Sequence, residues 1–142
     1  MPSHLADQLP PAVSSGTYDL MLRSFHTANY FNKAPKVVLS FTIVSTGQFH
    51  GAVVNRYYNV NRIIGKPQMG GRFVPSATGD FAREFYTLFT YGGTRLDRLP
   101  MSLFDGKVIK AKVRMVTHAR GADIPKPLQY AKVAQLLKVV EE

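Results

Sequence analysis

Cysteine and tryptophan are both absent from this chain. Without cysteine there is no disulfide, no thiolate metal site and no cysteine nucleophile. Without tryptophan, any ring offered to a partner must be Tyr or Phe. Acidic residues are scarce: 9 Asp and Glu stand against 18 Lys and Arg, leaving a formal charge of +9. No apolar run approaches the roughly 18 residues of a membrane-spanning helix, and the first fifteen residues lack the continuous apolar core of a signal peptide. These absences point to a soluble, cytoplasmic protein whose partner is a polyanion rather than a membrane.

Catalytic signatures are missing too. His4, His26, His50 and His118 are dispersed, with no His/Asp/Glu group at ligand spacing. Neither GxSxG nor HExxH occurs, and Gly65, Gly70 and Gly71 do not fall in the GxxxxGK[ST] spacing of a phosphate loop. Asp80 and Glu84 stand one helical turn apart, but Asp80 is explained as a helix cap. The expectation is a protein without catalytic residues, metal or cofactor.

What is present is strand patterning. The 142 residues, 45% of them hydrophobic, suffice for one domain with its own core. Pro10 and Pro11 make residues 1–15 a flexible lead-in, and residues 16–142 the domain. Val37, Leu39, Phe41 and Ile43 recur every second residue, as one buried strand face requires. Gly47 and Gly51 bracket a turn before the pattern resumes at Val53. Strands are predicted near 17–28, 36–45 and 51–60. An irregular segment over 61–79 follows, then a helix from Asp80 with Phe81, Phe85, Leu88 and Phe89 on its apolar face and Arg83 and Glu84 toward the other. Fourth and fifth strands are predicted near 107–120 and 131–140. The fold class is therefore mainly β. Three strands, a connection with one short helix, then two strands is the chain order of the OB-fold, a five-stranded Greek-key barrel.

Three groups carry the basic and aromatic chemistry of a nucleic-acid surface. In RYYNVNR, alternation puts Arg56, Tyr58 and Val60 on one face and Tyr57 and Asn59 on the other, so only one tyrosine of the pair faces outward to stack a base. In the fourth strand, Lys110, Lys112 and Arg114 line one face at i, i+2 and i+4 with no acid between Lys107 and Arg120, a stripe suited to a phosphate backbone. The loops add Tyr30, Phe31, Lys33 and Lys36 before the second strand, Phe49 at a turn tip, and Arg62, Lys66 and Arg72 before the helix. Each group also has a plainer reading, as barrel filling, a solvated face or a dimer contact. Val108, Val116 and Leu136 are the apolar positions suited to a homodimer.

The succession GTYDLML, KVVLSFTIVSTGQFHGAVVNRYYNV, FDGKVIKAKVRM and YAKVAQLLKV resembles small phage and mobile-element proteins. Those are OB-fold single-stranded DNA-binding or DNA-metabolism accessory proteins. The resemblance covers residues 16–140 and rests on Gly16-x-Tyr18, Lys36, Gly47 and Gly51 with Arg56 and Tyr57-Tyr58, and Asp105-Gly106-Lys107. It implies largely sequence-independent binding of single-stranded DNA in replication or recombination. An RNA-binding barrel and a protein-interaction or inhibitory module of a mobile element are the alternatives. Unlike the familiar bacterial single-strand binders, this sequence has no long Gly/Gln-rich tail, and only Glu141-Glu142 as an acidic end.

Overall fold

The two-residue alternation around Val37 to Ile43 builds β2 (Ala34–Ile43), whose Val37, Leu39, Phe41 and Ile43 are all buried. The computed structural model describes residues 13–30, 34–89, 100–116, 118–119, 122–123 and 130–141. β2 pairs antiparallel with β1 (Gly16–Tyr30) on one side and β3 (Val53–Ile64) on the other. Gly47 and Gly51 both take positive φ, +135° and +88°, in the turn between β2 and β3. Side chains there would be strained, which is why glycine brackets this turn.

β5 (Val108–Val116) pairs antiparallel with the start of β1, and β8 (Tyr130–Glu141) pairs antiparallel with β5. A single parallel pair, Asn55 opposite Lys132, joins β8 to β3 and closes the ring. The result is a closed five-stranded mixed barrel in the order β1-β2-β3-β8-β5, the OB arrangement, with one α-helix among the described residues between its third and fourth strands.

The segment expected to be irregular holds a short strand, β4 (Arg72–Pro75), paired with the end of β3. The loop joining them lies along β1: Gln68 O accepts from Thr27 N at 3.0 Å, and Gly70 N donates to Phe25 O at 2.9 Å. Gly71 is buried at this crossing. A Cβ there would stand 2.4 Å from Thr27 Oγ1 and 3.0 Å from Gln68 O. Gly71→Ala is therefore expected to destabilise the domain by about 1–3 kcal/mol, read by chemical denaturation. β6 (His118–Ala119) and β7 (Ala122–Asp123) form a minimal hairpin between β5 and β8.

Helix α1 (Asp80–Phe89) buries Phe81, Phe85 and Leu88 as its spacing predicts. Phe81 meets Tyr58 edge-on at 5.1 Å and Phe73 at 5.2 Å, and Phe85 meets Phe104 of a single 3-10 turn (Met101–Phe104) at 6.0 Å. These rings seal the barrel, and such edge-to-face pairs add about 0.5–1.5 kcal/mol each beyond their buried area. Glu84 departs from expectation: it is buried, not on the solvent side of the helix. Val13, inside the expected lead-in, belongs to the core. Leu136, read as a dimer contact, is 2% exposed and is also core.

Candidate nucleic-acid interface

β3 carries the decision between its two tyrosines. Val54, Tyr58 and Val60 are buried on the inner face, so Asn55, Tyr57 and Asn59 point outward. Tyr58 Oη donates to Glu84 Oε1 at 2.8 Å, and its ring is 2% exposed. Burial first, and then the Glu84 charge, hold its phenol well above the ordinary tyrosine value. Tyr58 is therefore closed to a stacking partner from outside, whereas Tyr57 is half-buried and has no ring partner among the described residues. Tyr57 Oη accepts from Asn55 Nδ2 at 3.3 Å, which steadies the ring on the face.

Arg56, expected at a phosphate, belongs instead to a buried network. Its guanidinium pairs with both Glu84 oxygens and lies 4.3 Å over the Tyr58 ring. Burial would lower its pKa, but the Glu84 hydrogen bonds, Tyr58 and the Glu84 charge outweigh that and hold it above its ordinary value. Glu84 Oε1 also accepts from Leu136 N at 2.8 Å, so one carboxylate ties α1 to β3 and β8 where those strands diverge. The cleft beside this network, about 280 Å³, is lined by Arg56 and Arg83 but also by Asp80 and Glu84, so its charges balance. It offers no net attraction for an anion.

The outer face gathers cations from four strands. Lys36 of β2 stands opposite Asn59 and donates to Asn59 Oδ1. Lys132 of β8 stands opposite Asn55, and Arg114 of β5 opposite Lys132. Burial, with Arg114, Arg56 and Lys36 nearby, lowers the Lys132 ammonium from its ordinary value. Lys132 thus sits part-buried with like charges near it. Lys112 continues the group along β5, exposed and opposite Gln135. Lys110 shares that face, opposite Asp19 of β1 on one side and Lys138 of β8 on the other.

Arg62 joins the face for a reason invisible in simple alternation. A register shift between Val60 and Arg62 turns Ile63 toward the core and leaves Arg62 exposed with Asn59. Lys66 and Arg72 are exposed at the β3–β4 hairpin; Arg72 stands opposite Ile64, about 20 Å along β3 from Tyr57 at the usual rise per residue. They are not part of the cluster. Phe49 is not a free turn-tip ring: it packs against the core, edge-on to Tyr18 at 6.1 Å. Tyr30 ends β1 opposite Ala34. Phe31, Lys33 and Arg120 lie outside the described residues.

No protein-family model, curated protein or solved structure matches this chain. The assignment of the face therefore stands on its own geometry. Among the described residues no three His, Asp or Glu side chains gather to hold a metal, and no helix is long and apolar enough to cross a membrane. Sequence reasoning missed Lys132 and Asn55, and placed Asn59 on the face of Tyr57 without giving it a role. Lys132 alternates with buried Ala131 and Val133, a signal that marks it as outward-facing but not as a neighbour of Tyr57.

Proposed function

We propose that the protein binds single-stranded nucleic acid, DNA in the first place, across the outer face of β3, β8 and β5. The observation that carries this reading is the placement of Lys36, Lys112, Arg114 and Lys132 on the outer face that also bears Tyr57, the outward tyrosine of the β3 pair. Cations meet phosphates and the ring stacks an unpaired base, the combination that single-strand-binding barrels use. Of these strands β3, with Lys36 of β2 beside it, belongs to the face on which OB barrels hold oligonucleotides, and β8 and β5 extend it. A role in replication or recombination, without catalysis, is the further expectation that this reading carries.

A titration of fluorescent oligo-dT, with the matched ribo-oligonucleotide in parallel, tests the reading and the choice of DNA over RNA. Affinity is expected to fall as salt rises. Tyr57→Ala is expected to weaken binding by roughly 5- to 100-fold, the range for losing one stacked base. Absence of binding to either oligomer at low salt would overturn the reading and favour a protein-docking module.

A further inference from the structure

The registers of β1, β2 and β3 set Tyr57, Val38 and His26 opposite one another, in one row across the sheet. An isolated antiparallel bridge from His26 to Met69 adds a fourth position, on the loop that lies along β1. Residues opposite one another share a face. Phe25 and Thr27, the chain neighbours of His26, stand opposite the inner residues Leu39 and Val37, so the row lies on the outer face. Val38 is 1% exposed although it belongs to this face and not to the inner core. Its neighbours close over it, and along the row those neighbours are Tyr57 and His26. The His26 imidazole has no hydrogen-bond or ring partner among the described residues. Met69 is 65% exposed, more than any other large hydrophobic side chain described. With Leu22, Phe25 and Met101 it lines an open cleft of about 420 Å³, so a ring has room beside its thioether.

At the usual strand spacing the four positions span about 14 Å, the length of about four stacked nucleotides. The flanking rows hold no large apolar side chain: Ala28, Lys36 and Asn59 lie on one side, and Ser24, Ser40 and Asn55 on the other, with Lys132 beyond Asn55. Cations therefore bracket the Tyr57 end, whereas no Lys or Arg stands opposite His26 or Met69. Resting on the nucleic-acid reading of this face, we infer that the bound strand runs crosswise over β3, β2 and β1, with bases on Tyr57, His26 and Met69. Lys36 and Lys132 take phosphates at the near end. At the far end an imidazole, which stacks on bases as other rings do, and a thioether, which packs well against aromatic rings, meet bases alone.

The test titrates oligo-dT by fluorescence anisotropy into the wild type, His26→Ala, His26→Phe and Met69→Ala. His26→Ala is expected to weaken binding at least about fivefold, the loss of one stacked ring. His26→Phe keeps a ring and should stay near the wild-type affinity. Met69→Ala is expected to weaken binding about 2- to 10-fold, the worth of a thioether against a ring, and to leave the salt slope unchanged, because it meets no phosphate. A second readout is independent of these variants. Mild peroxide converts an exposed methionine to its sulfoxide, and saturating oligo-dT should protect Met69 of the wild type, followed by peptide mass spectrometry. Wild-type affinity in both alanine variants, or Met69 oxidised equally with and without oligo-dT, would overturn the crosswise path. Equal weakening by His26→Ala and His26→Phe would overturn the stacking given to His26. Failure of the wild type to bind oligo-dT at low salt would instead overturn the nucleic-acid reading itself.

Discussion

Glu84→Ala is expected to lower the stability of the domain by about 3–5 kcal/mol, the cost of leaving one partner of a buried ion pair alone. For a chain of this size that is a fall in melting temperature of roughly 10–20 °C. The cause is specific. Arg56, Tyr58 and the backbone N–H of Leu136 all donate to this one carboxylate. Removing it leaves the guanidinium in the gap between β3 and β8 with only the more exposed Asp80, 3.8 Å away, and leaves two further donors without an acceptor. Glu84→Gln keeps an amide oxygen for Tyr58 and Leu136 and should cost less. The double change Arg56→Met with Glu84→Leu should recover part of the loss, because no charge then remains buried. Denaturant titration of the three variants gives the order directly; a loss below about 1 kcal/mol for Glu84→Ala would show that the network does not hold the seam. The exposed Arg83–Asp80 pair, 2.9 Å apart at the rim, is expected to contribute far less.

Replacing Lys112, Arg114 and Lys132 together by alanine is expected to weaken oligonucleotide binding at low salt by at least about 100-fold, since each charge-assisted contact adds roughly 1.5 kcal/mol or more. The more diagnostic readout is the salt dependence. Each phosphate neutralised on a single strand contributes about −0.7 to the slope of log affinity against log salt, so the triple variant should flatten it by about 2. The loss should be the same for oligo-dT and oligo-dC, because these groups meet the backbone and not the bases. Lys66→Ala with Arg72→Ala serves as the matched control: it removes charge from the distant hairpin and should change the slope little. A slope unchanged in the triple variant would remove β5 and β8 from the footprint. An equal effect in the control would reduce the cluster to overall charge.

The barrel was legible because its signals are local. Val37 to Ile43 alternate along a single strand, Gly47 and Gly51 lie within one turn, and Phe81, Phe85 and Leu88 fall on one helical face. The β5 stripe was legible for the same reason: Lys110, Lys112 and Arg114 share a face through alternation alone. The β3–β4 hairpin was not, because its pairing depends on a register shift between Val60 and Arg62 and on a loop bonded to β1, more than 40 residues earlier in the chain.

The site divides along the same line. By itself the sequence determined the fold class, the positive balance, and that only one of Tyr57 and Tyr58 points outward, since each follows from composition or from a two-residue period. Only the tertiary structure decided which one. Glu84, 26 residues from Tyr58 and 28 from Arg56, comes to the inner face of β3 and takes both as partners, which turns a presumed phosphate ligand into a structural ion pair. A single parallel pair between β3 and β8 brings Lys132 beside Asn55 and completes the cation cluster. Hydrophobic periodicity is written in neighbouring residues, whereas the partner that satisfies a buried charge is chosen by chain crossings that no local period encodes.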